Sequence, residues 1–325
     1  MNTNRACGCK SFNSCYLCEA QFGLSTTEPA LERIDQLDEQ RIFCICCRKL
    51  YDPFVQNRHI CGQGEPFHGI ELYPNFISVE EEQKVLENLD KIPWDVSQSG
   101  RRKQNYGPNV NFKKRKVKLG SFQGFPIATK FIQDRFQSAI ASLQDYKTVE
   151  QSFIEYRAST GARIDAHIDD CWIWGERIVQ VNLMSDSMLT LLPFTGDPYR
   201  YNLADVSTYP KVMDDLTGRI QFNPFQSETD ILRMTTAVKN NVVKVKPFQV
   251  ESCDLKRVIR IPLPRRSLLL LYGNPRYNWE HCILRRDITT RRIVIAYREL
   301  TPTFLPNGPE ENMGREILAK AQCFF

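Results

Sequence analysis

The sequence is poor in histidine and has no long apolar run. Only four of its 325 residues are histidines, namely His59, His68, His167 and His281, so a histidine-containing site has few ligands to choose from. No stretch reaches the roughly 18 apolar residues of a membrane-spanning helix, and residues 1–8 lack the apolar centre of a secretory signal. We therefore expect no membrane partner and no export.

The remaining composition is that of a globular chain. Hydrophobic residues make up 42% of it, which is enough for a full core, and the net charge of +5 decides little alone. We expect a cysteine-rich segment over 1–65, a helical support with a basic region over 66–150, and a core over 151–325. A polar stretch, 197–256, is expected to interrupt that core as an insertion.

Cysteine is abundant near the N-terminus. Eight of the twelve cysteines lie in the first 65 residues, in the patterns C-x-C, C-x-x-C and C-x-C-C: Cys7, Cys9, Cys15, Cys18, Cys44, Cys46, Cys47 and Cys61. Disulfides are disfavoured without export, and short cysteine pairs converge readily on one zinc ion. We predict structural zinc in this segment, with free thiols in a loosely ordered tail and iron–sulfur ligation as the alternatives.

The apolar pattern of the core is that of short strands separated by Gly and Pro turns. The expected strands are 152–156, 163–167, 177–183, 188–192, 258–263, 267–272, a segment around His281, and 292–300. Helices are expected after the cap residue Ser78, over 125–143 and over 310–322. The pattern predicts a mainly β protein with flanking helices and an antiparallel sandwich of the jelly-roll kind.

Residues 164–170 contain a histidine and an aspartate two positions apart. In a strand, His167 and Asp169 point to the same face, and His281 can supply a third ligand from a later strand. Two histidines and one carboxylate form the ligand set typical of non-haem Fe(II) oxygenases. We predict that these three residues are catalytic and hold iron; the alternative is that they are structural residues of the core.

Two arginines lie six residues apart in a strand rich in β-branched residues. Arg292 and Arg298 share one face of that strand. Arg292 lies eleven residues after His281. Guanidinium groups pair with carboxylates through two parallel hydrogen bonds, so the pair suits a dicarboxylate co-substrate. The alternative is that one or both are surface charges.

The segment 101–118 carries eight Lys or Arg residues and no acidic one. Aromatic, Gly and Pro residues interrupt the charges, which favours a hairpin or loop. A basic patch with aromatic residues suits a polyanion or an acidic protein surface, and the predicted substrate-binding residues are Arg101, Arg102, Lys103 and Tyr106. A solvated hairpin or a nuclear localisation signal is the alternative, and we expect the protein in the cytoplasm and the nucleus.

These motifs together resemble those of a known family. The H-x-D motif, the distal histidine and the arginine pair resemble the site motif of the AlkB family of Fe(II)/2-oxoglutarate-dependent dioxygenases. In this chain they are His167, Asp169, His281, Arg292 and Arg298. The motifs at 97–108, 167–170 and 174–177, and the cysteines at 7–18, resemble the branch of its fourth animal homologue.

The resemblance implies a fold, a ligand set and cofactors. The fold is a double-stranded β-helix, or jelly roll, with a nucleotide-recognition lid over its mouth, where 101–118 would lie. The cofactors are Fe(II), 2-oxoglutarate and O2. Arg292 would bind the far carboxylate of 2-oxoglutarate and Arg298 would lie near its keto-acid end. Many members have Asn where this chain has Val294, and a second, upstream Asn is replaced here by Glu155 or Tyr156, of which we take Tyr156 as co-substrate-binding.

The activity implied is oxidative removal of an N-methyl group as formaldehyde. The branch is associated with monomethyl-lysine in actin and with N6-methyladenine in DNA, so methylated protein, methylated DNA and actomyosin proteins are the partners implied. Since both substrates lose an N-methyl group, the iron chemistry does not distinguish them. The competing hypothesis is a non-catalytic scaffold on a jelly-roll fold that binds nucleic acid or the cytoskeleton.

Overall fold

Two β-sheets dominate the computed structural model, which describes residues 5–10, 13–24, 28–54, 61, 63–223, 225 and 254–325. The strands are β1 (Glu39–Phe43), β2 (Lys49–Tyr51), β3 (Glu65–Pro66), β4 (Ile70–Tyr73), β5 (Asp95–Val96), β6 (Arg102–Tyr106), β7 (Asn109–Asn111), β8 (Lys116–Lys118), β9 (Glu150–Tyr156), β10 (Ile164–His167), β11 (Trp174–Leu183), β12 (Ser187–Pro193), β13 (Arg257–Leu263), β14 (Leu268–Leu271), β15 (Trp279–Ile283) and β16 (Arg292–Leu300).

Helices flank the strands. The α-helices are α1 (Tyr16–Phe22), α2 (Pro29–Ile34), α3 (Val79–Leu89), α4 (Lys130–Ala139), α5 (Gly273–Tyr277) and α6 (Glu311–Lys320). The 3-10 helices are Phe112–Lys114, Ile127–Thr129, Ala141–Leu143, Ala158–Thr160, Arg200–Thr208, Asp254–Lys256, Arg285–Asp287 and Pro302–Phe304. The helix expected over 125–143 is therefore α4 with a 3-10 turn on either side. In the described part of the chain no helix is long and apolar enough to cross a bilayer.

The first sheet has the order β10-β15-β12-β13-β1-β2-β3 and the second has β4-β14-β11-β16-β9-β6-β5. Apolar residues of both sheets, such as Leu191 and Ile259 of the first and Leu269 and Val294 of the second, form one buried cluster between them. The predicted class, mainly β with flanking helices and a jelly-roll core, is confirmed.

Side-chain alternation divides β16 between two environments. Ile293, Ile295 and Tyr297 lie in a second buried cluster with residues of α3 and α4. Arg292 and Arg298 alternate with these residues and therefore lie on the opposite face, which Val294 shares. The strand is buried on both sides, which explains its nearly continuous apolar sequence.

The N-terminal segment continues the core sheet. β1 pairs in parallel with β13, and β2 and β3 follow it to form the edge. These three strands thus belong to the first sheet, because their backbone hydrogen bonds are made within it. Of the expected insertion 197–256, the part up to 223 includes the 3-10 helix Arg200–Thr208, and 226–253 lies outside the described residues.

Candidate active site

The three predicted iron ligands meet at one end of the first sheet. His167 ends β10 and lies directly opposite His281 of β15, with 4.3 Å between the ring centroids. Asp169 follows two residues later, and its Oδ2 atom lies 3.8 Å from Nε2 of His281. Cross-strand register therefore brings together side chains that are far apart in sequence.

One oxygen of the Asp169 carboxylate accepts hydrogen bonds, and the other accepts none. Arg298 donates to Oδ1 through Nε at 2.9 Å and Nη2 at 2.6 Å, and Arg276 donates to the Asp169 backbone carbonyl at 2.9 Å. Oδ2 is buried without a hydrogen-bond partner among the described residues. Burial alone would raise the pKa of Asp169, but the neighbouring Arg298 guanidinium holds it well below its usual range, so the group is ionised.

Both histidines are neutral. Burial lowers the pKa of His167, and burial with the neighbouring His167 lowers the pKa of His281 to about 3. Nδ1 of His167 lies 2.8 Å from the Asp165 carbonyl oxygen. Because a carbonyl can only accept, Nδ1 carries the proton and Nε2 keeps its lone pair.

This donor set fits Fe(II). Two neutral imidazoles and one carboxylate are the ligands of the facial iron sites of oxygenases, and a buried oxygen without a partner, Asp169 Oδ2, is the group that a cation satisfies. The backbone carbonyl of Asp165 orients His167 as such ligands are oriented in metal sites.

Arg292 is a buried guanidinium with two unpartnered nitrogens. The side chain is 1% exposed, and Nε donates to Oδ1 of Asn182 at 2.7 Å. Neither Nη1 nor Nη2 has a hydrogen-bond partner in the described residues. The Arg292 guanidinium carbon lies 5.0 Å from the centre of the Tyr156 ring, and burial lowers the pKa of Arg292 against an opposing contribution from Tyr156. Such a group is costly to bury without an anion.

Asn182 is a residue that sequence reasoning missed. Its Nδ2 donates to the carbonyls of Ser185 at 2.8 Å and Leu263 at 3.0 Å, which aims Oδ1 at Arg292. The available signal was an amide between two apolar residues, Val181 and Leu183, of the buried strand β11. Polar side chains in a buried strand need partners, although the sequence does not say which.

A cavity of about 770 Å³ opens beside the ligand cluster. His167, Asp169 and Arg298 form part of its wall. Basic residues Arg101, Lys103 and Lys113 form another part, and four aromatic residues also line it: Phe112, Trp174, Tyr199 and Tyr201. A charged and aromatic cavity of this size suits part of a large polar ligand.

The four predicted substrate-binding residues divide between two surfaces. Arg101 and Lys103 line the cavity. Arg102 instead makes two hydrogen bonds to Glu155, at 2.5 and 2.8 Å, and Tyr106 packs edge-on against Phe153. The structure therefore does not bring Arg102 and Tyr106 to the cavity, because alternate residues of an extended chain face opposite ways.

Residues of the insertion complete the wall. The Tyr201 hydroxyl donates to Glu280 at 2.8 Å, and Nδ2 of Asn202 donates to Asp170 at 2.8 Å. Arg115, at the end of the hairpin β7–β8, donates to Asn202 at 2.8 Å and Asp205 at 2.6 Å. No pattern in the sequence predicted these contacts, since they join segments that are distant along the chain.

The predicted zinc-binding cysteines form two clusters. The sulfur atoms of Cys7, Cys9, Cys15 and Cys18 all lie within 4.8 Å of one another. In the second cluster the same holds for Cys44, Cys47 and Cys61, and Cys46 contacts Cys61. The eight cysteines are thus not a single site.

Curated relatives match nearly the whole chain. A mouse protein named alpha-ketoglutarate-dependent dioxygenase alkB homolog 4 is 33% identical over 318 residues, which are 98% of this chain and 94% of the relative. The human protein of the same name is 32% identical over 320 residues, with the same coverage. A Caenorhabditis elegans protein named DNA N6-methyl adenine demethylase is 27% identical over 335 residues, again with 98% and 94% covered.

Other comparisons add less. No protein-family model matches the chain. A solved structure described as that of OsALKBH1 aligns at 11% identity with a TM-score of 0.39, over 72% of this chain and 99% of that one. The identity and coverage of the mouse and human proteins establish the relationship: the chain belongs to the AlkB family of iron- and alpha-ketoglutarate-dependent dioxygenases.

Proposed function

We propose that this dioxygenase removes N-methyl groups oxidatively from a macromolecule, with N6-methyladenine in DNA as the first candidate substrate and monomethyl-lysine in a protein such as actin as the second. The observation that carries the proposal is the buried Arg292 guanidinium with two unpartnered Nη atoms. A carboxylate is the natural partner of such a fork. 2-Oxoglutarate has one carboxylate remote from its keto acid.

The chain contributes two binding functions to the co-substrate. Arg292 binds the remote carboxylate, with Asn182 holding Nε so that Nη1 and Nη2 stay directed at the ligand. The ring of Tyr156 covers the guanidinium. Arg298 is already engaged by Asp169 and Glu150, so its role is to position the Asp169 carboxylate.

His167, Asp169 and His281 hold Fe(II), which when bound supplies the activation of dioxygen. In the overall reaction, 2-oxoglutarate and O2 yield succinate and CO2. One oxygen atom enters succinate and the other hydroxylates the methyl group, which leaves the nitrogen as formaldehyde. We assign structural zinc, which takes no part in this reaction, to the N-terminal cysteines.

The cavity wall supports DNA as the first candidate. Arg101, Lys103 and Lys113 supply positive charge for a phosphate backbone, and Phe112 and Tyr199, which are 45% and 78% exposed, supply aromatic faces on which bases stack. A relative at 27% identity is named DNA N6-methyl adenine demethylase. The same positive wall would accept the acidic surface of actin, which keeps methyl-lysine as the second candidate.

A non-catalytic scaffold has no physical need for these features. An unpartnered buried guanidinium and an unpartnered buried carboxylate oxygen each destabilise the fold. Their cost is offset only when a ligand is bound, so they indicate a site that binds an anion and a cation.

Replacement of Arg292 tests co-substrate binding. Because a hydrogen bond to a charged group is worth about 1.5–3 kcal/mol, Arg292→Met should weaken 2-oxoglutarate binding by roughly 100-fold. The measurement is anaerobic calorimetry with Mn(II) in place of Fe(II). Arg286→Met, at an exposed position, is the matched control and should bind normally. Unchanged affinity in Arg292→Met would contradict the assignment.

The substrate is decided by one assay of formaldehyde release. Full-length protein with Fe(II) and 2-oxoglutarate is given N6-methyladenine DNA and a monomethyl-lysine peptide from actin in parallel. Release from DNA supports the first candidate and release from peptide alone supports the second. Release from neither, with 2-oxoglutarate binding intact, would overturn the proposed N-demethylation of these substrates.

A further inference from the structure

The sulfur atoms of the four cysteines nearest the N-terminus lie close together. Cys9, Cys15 and Cys18 are at most 2% exposed. The Cys18 sulfur lies 3.2 Å from that of Cys7 and 3.6 Å from that of Cys15, and all four sulfurs lie within 4.8 Å of one another. A tetrahedral zinc ion with Zn–S bonds of about 2.3 Å separates its ligands by roughly 3.8 Å, so the cluster has the size of one such site.

We propose that Cys7, Cys9, Cys15 and Cys18 bind one structural zinc ion, and that this site positions Arg101 at the active-site cavity. The buried core of this segment consists of three of these cysteines, with Leu24 packed against it. So small a core cannot hold a segment in place without a covalent or metal link. Four soft thiolates without a histidine or carboxylate select zinc, and an iron–sulfur cluster would need added space for inorganic sulfide.

The cysteine cluster contacts the turn that leads into β6. Asn13, between Cys9 and Cys15, donates to Gln98 of this turn. Gly100 has a φ of +73°, and a Cβ there would lie 2.7 Å from the Thr160 carbonyl oxygen and 3.2 Å from Cβ of Cys15. The turn is thus held between the cysteine cluster and the loop before β10, and Arg101 follows directly.

The segment that carries these cysteines also contacts Arg163, the residue before the strand that carries His167. Arg163, 2% exposed, donates through Nη1 to the Ser14 carbonyl at 3.0 Å. Its backbone amide donates to the Ser99 carbonyl at 3.1 Å. Because Arg163 immediately precedes β10, the N-terminal segment and the 97–101 turn are both joined to β10 through this one buried residue.

The first experiment measures bound metal and needs no turnover. Full-length wild-type protein and the variant Cys9→Ser/Cys18→Ser are compared by elemental analysis, with Cys323→Ser, at an exposed position, as control. The double variant should lose one equivalent of zinc per chain and the control none. Equal zinc in all three would overturn the proposal. Zinc absorption spectroscopy of the wild type, which does not depend on a variant folding, should show a sulfur-dominated shell near 2.3 Å; its absence would do the same.

The second experiment measures positioning. In the double variant, hydrogen exchange should accelerate at 97–104 and 161–167 but not at β14, which the cluster does not contact. If the change in exchange rate relative to the wild type were the same in all three segments, the positioning role would be overturned. These readouts stand apart from activity, so failure of the proposed function would not be mistaken for failure of this inference.

The kinetic consequence rests on the proposed function and uses variants that keep every cysteine. Gly100→Ala should retain zinc, raise the KM for methylated DNA several-fold and leave the KM for 2-oxoglutarate unchanged, because Arg292 lies elsewhere. Gly23→Ala is the matched control, since Gly23 also has a positive φ but has no atom within 4 Å of an added Cβ. An unchanged KM for DNA in Gly100→Ala would overturn the link between this turn and the cavity.

Discussion

Three polar side chains at the site take their orientation from a particular hydrogen-bond partner. Arg298 holds one oxygen of Asp169, the Asp165 carbonyl holds Nδ1 of His167, and Asn182 holds Nε of Arg292. In each case the partner leaves the opposite atom free for a ligand. These partners are expected to affect ligand affinity, although they do not bind the ligands themselves.

Arg298→Gln is predicted to weaken metal binding by roughly 10- to 100-fold, the usual effect of losing a partner of a metal ligand. Without the guanidinium, Oδ1 of Asp169 competes with Oδ2 for the same position and the carboxylate loses its main opposite charge. The measurement is Mn(II) affinity at pH 7 by paramagnetic relaxation. Exposed Arg286→Gln serves as control, and wild-type affinity in Arg298→Gln would show that Arg298 does not position Asp169.

The R-x5-R spacing predicted that both arginines lie on one face of the strand, and they do so in the structure. The two arginines nevertheless have different partners. Arg298 is bound by Asp169 and Glu150, whereas the Nη atoms of Arg292 remain unpartnered. Spacing along a strand fixes the face of a side chain. The partners depend on what the neighbouring strands bring to that face.

Part of the cavity wall comes from elements that lie outside the two main sheets. The hairpin β7–β8 and the 3-10 helix Arg200–Thr208 contact each other through Arg115, which bonds Asn202 and Asp205. Asn202 in turn bonds Asp170, the residue after Asp169. The hairpin is therefore connected to the loop that carries Asp169 through two side-chain contacts.

Arg115→Gln is predicted to raise the KM for the macromolecular substrate by about 2- to 5-fold and to leave the KM for 2-oxoglutarate unchanged. The effect is small because Arg115 is 45% exposed and exposed ion pairs contribute at most about 1 kcal/mol. Steady-state kinetics with varied DNA tests it. Arg315→Gln, on α6, should match the wild type; a shift in the 2-oxoglutarate KM instead would argue against the assigned role of the hairpin.

The stability of the whole fold is linked to one buried carboxyl. Glu176 is 4% exposed; Oε2 accepts from the Val212 amide at 2.7 Å, and Oε1 has no hydrogen-bond partner among the described residues. Burial raises the pKa of Glu176 to about 7. Between about pH 4.5 and 7, the folded protein thus binds more protons than the unfolded chain, so the free energy of unfolding falls as pH rises.

Glu176→Gln is predicted to flatten this dependence. A single proton contributes a slope of at most about 1.4 kcal/mol per pH unit, and the slope ends above pH 7, where both states are ionised. Urea denaturation from pH 5 to 8 gives the free energy of unfolding of wild type and variant. Glu316→Gln, at an exposed position on α6, should follow the wild type, and an identical slope in Glu176→Gln would exclude Glu176 as its source.

The strand pattern and the ligand motif were open to prediction because both are local. Alternation in β16 and the H-x-D spacing at the end of β10 depend on backbone geometry within a few residues. The structure decided which of the four predicted substrate-binding residues line the cavity, and these are Arg101 and Lys103. It also added Asn182 and the residues of the insertion, which no local pattern distinguishes.

The sequence by itself determined the fold class, the family resemblance, the candidate ligands His167, Asp169 and His281, and the presence of cysteine clusters. Only the tertiary structure decided which polar atoms remain without partners: Oδ2 of Asp169 and the Nη atoms of Arg292. It also divided the cysteines into two clusters. The physical reason is that spacing fixes the direction of a side chain, whereas its partners come from strands and loops that only folding places beside it.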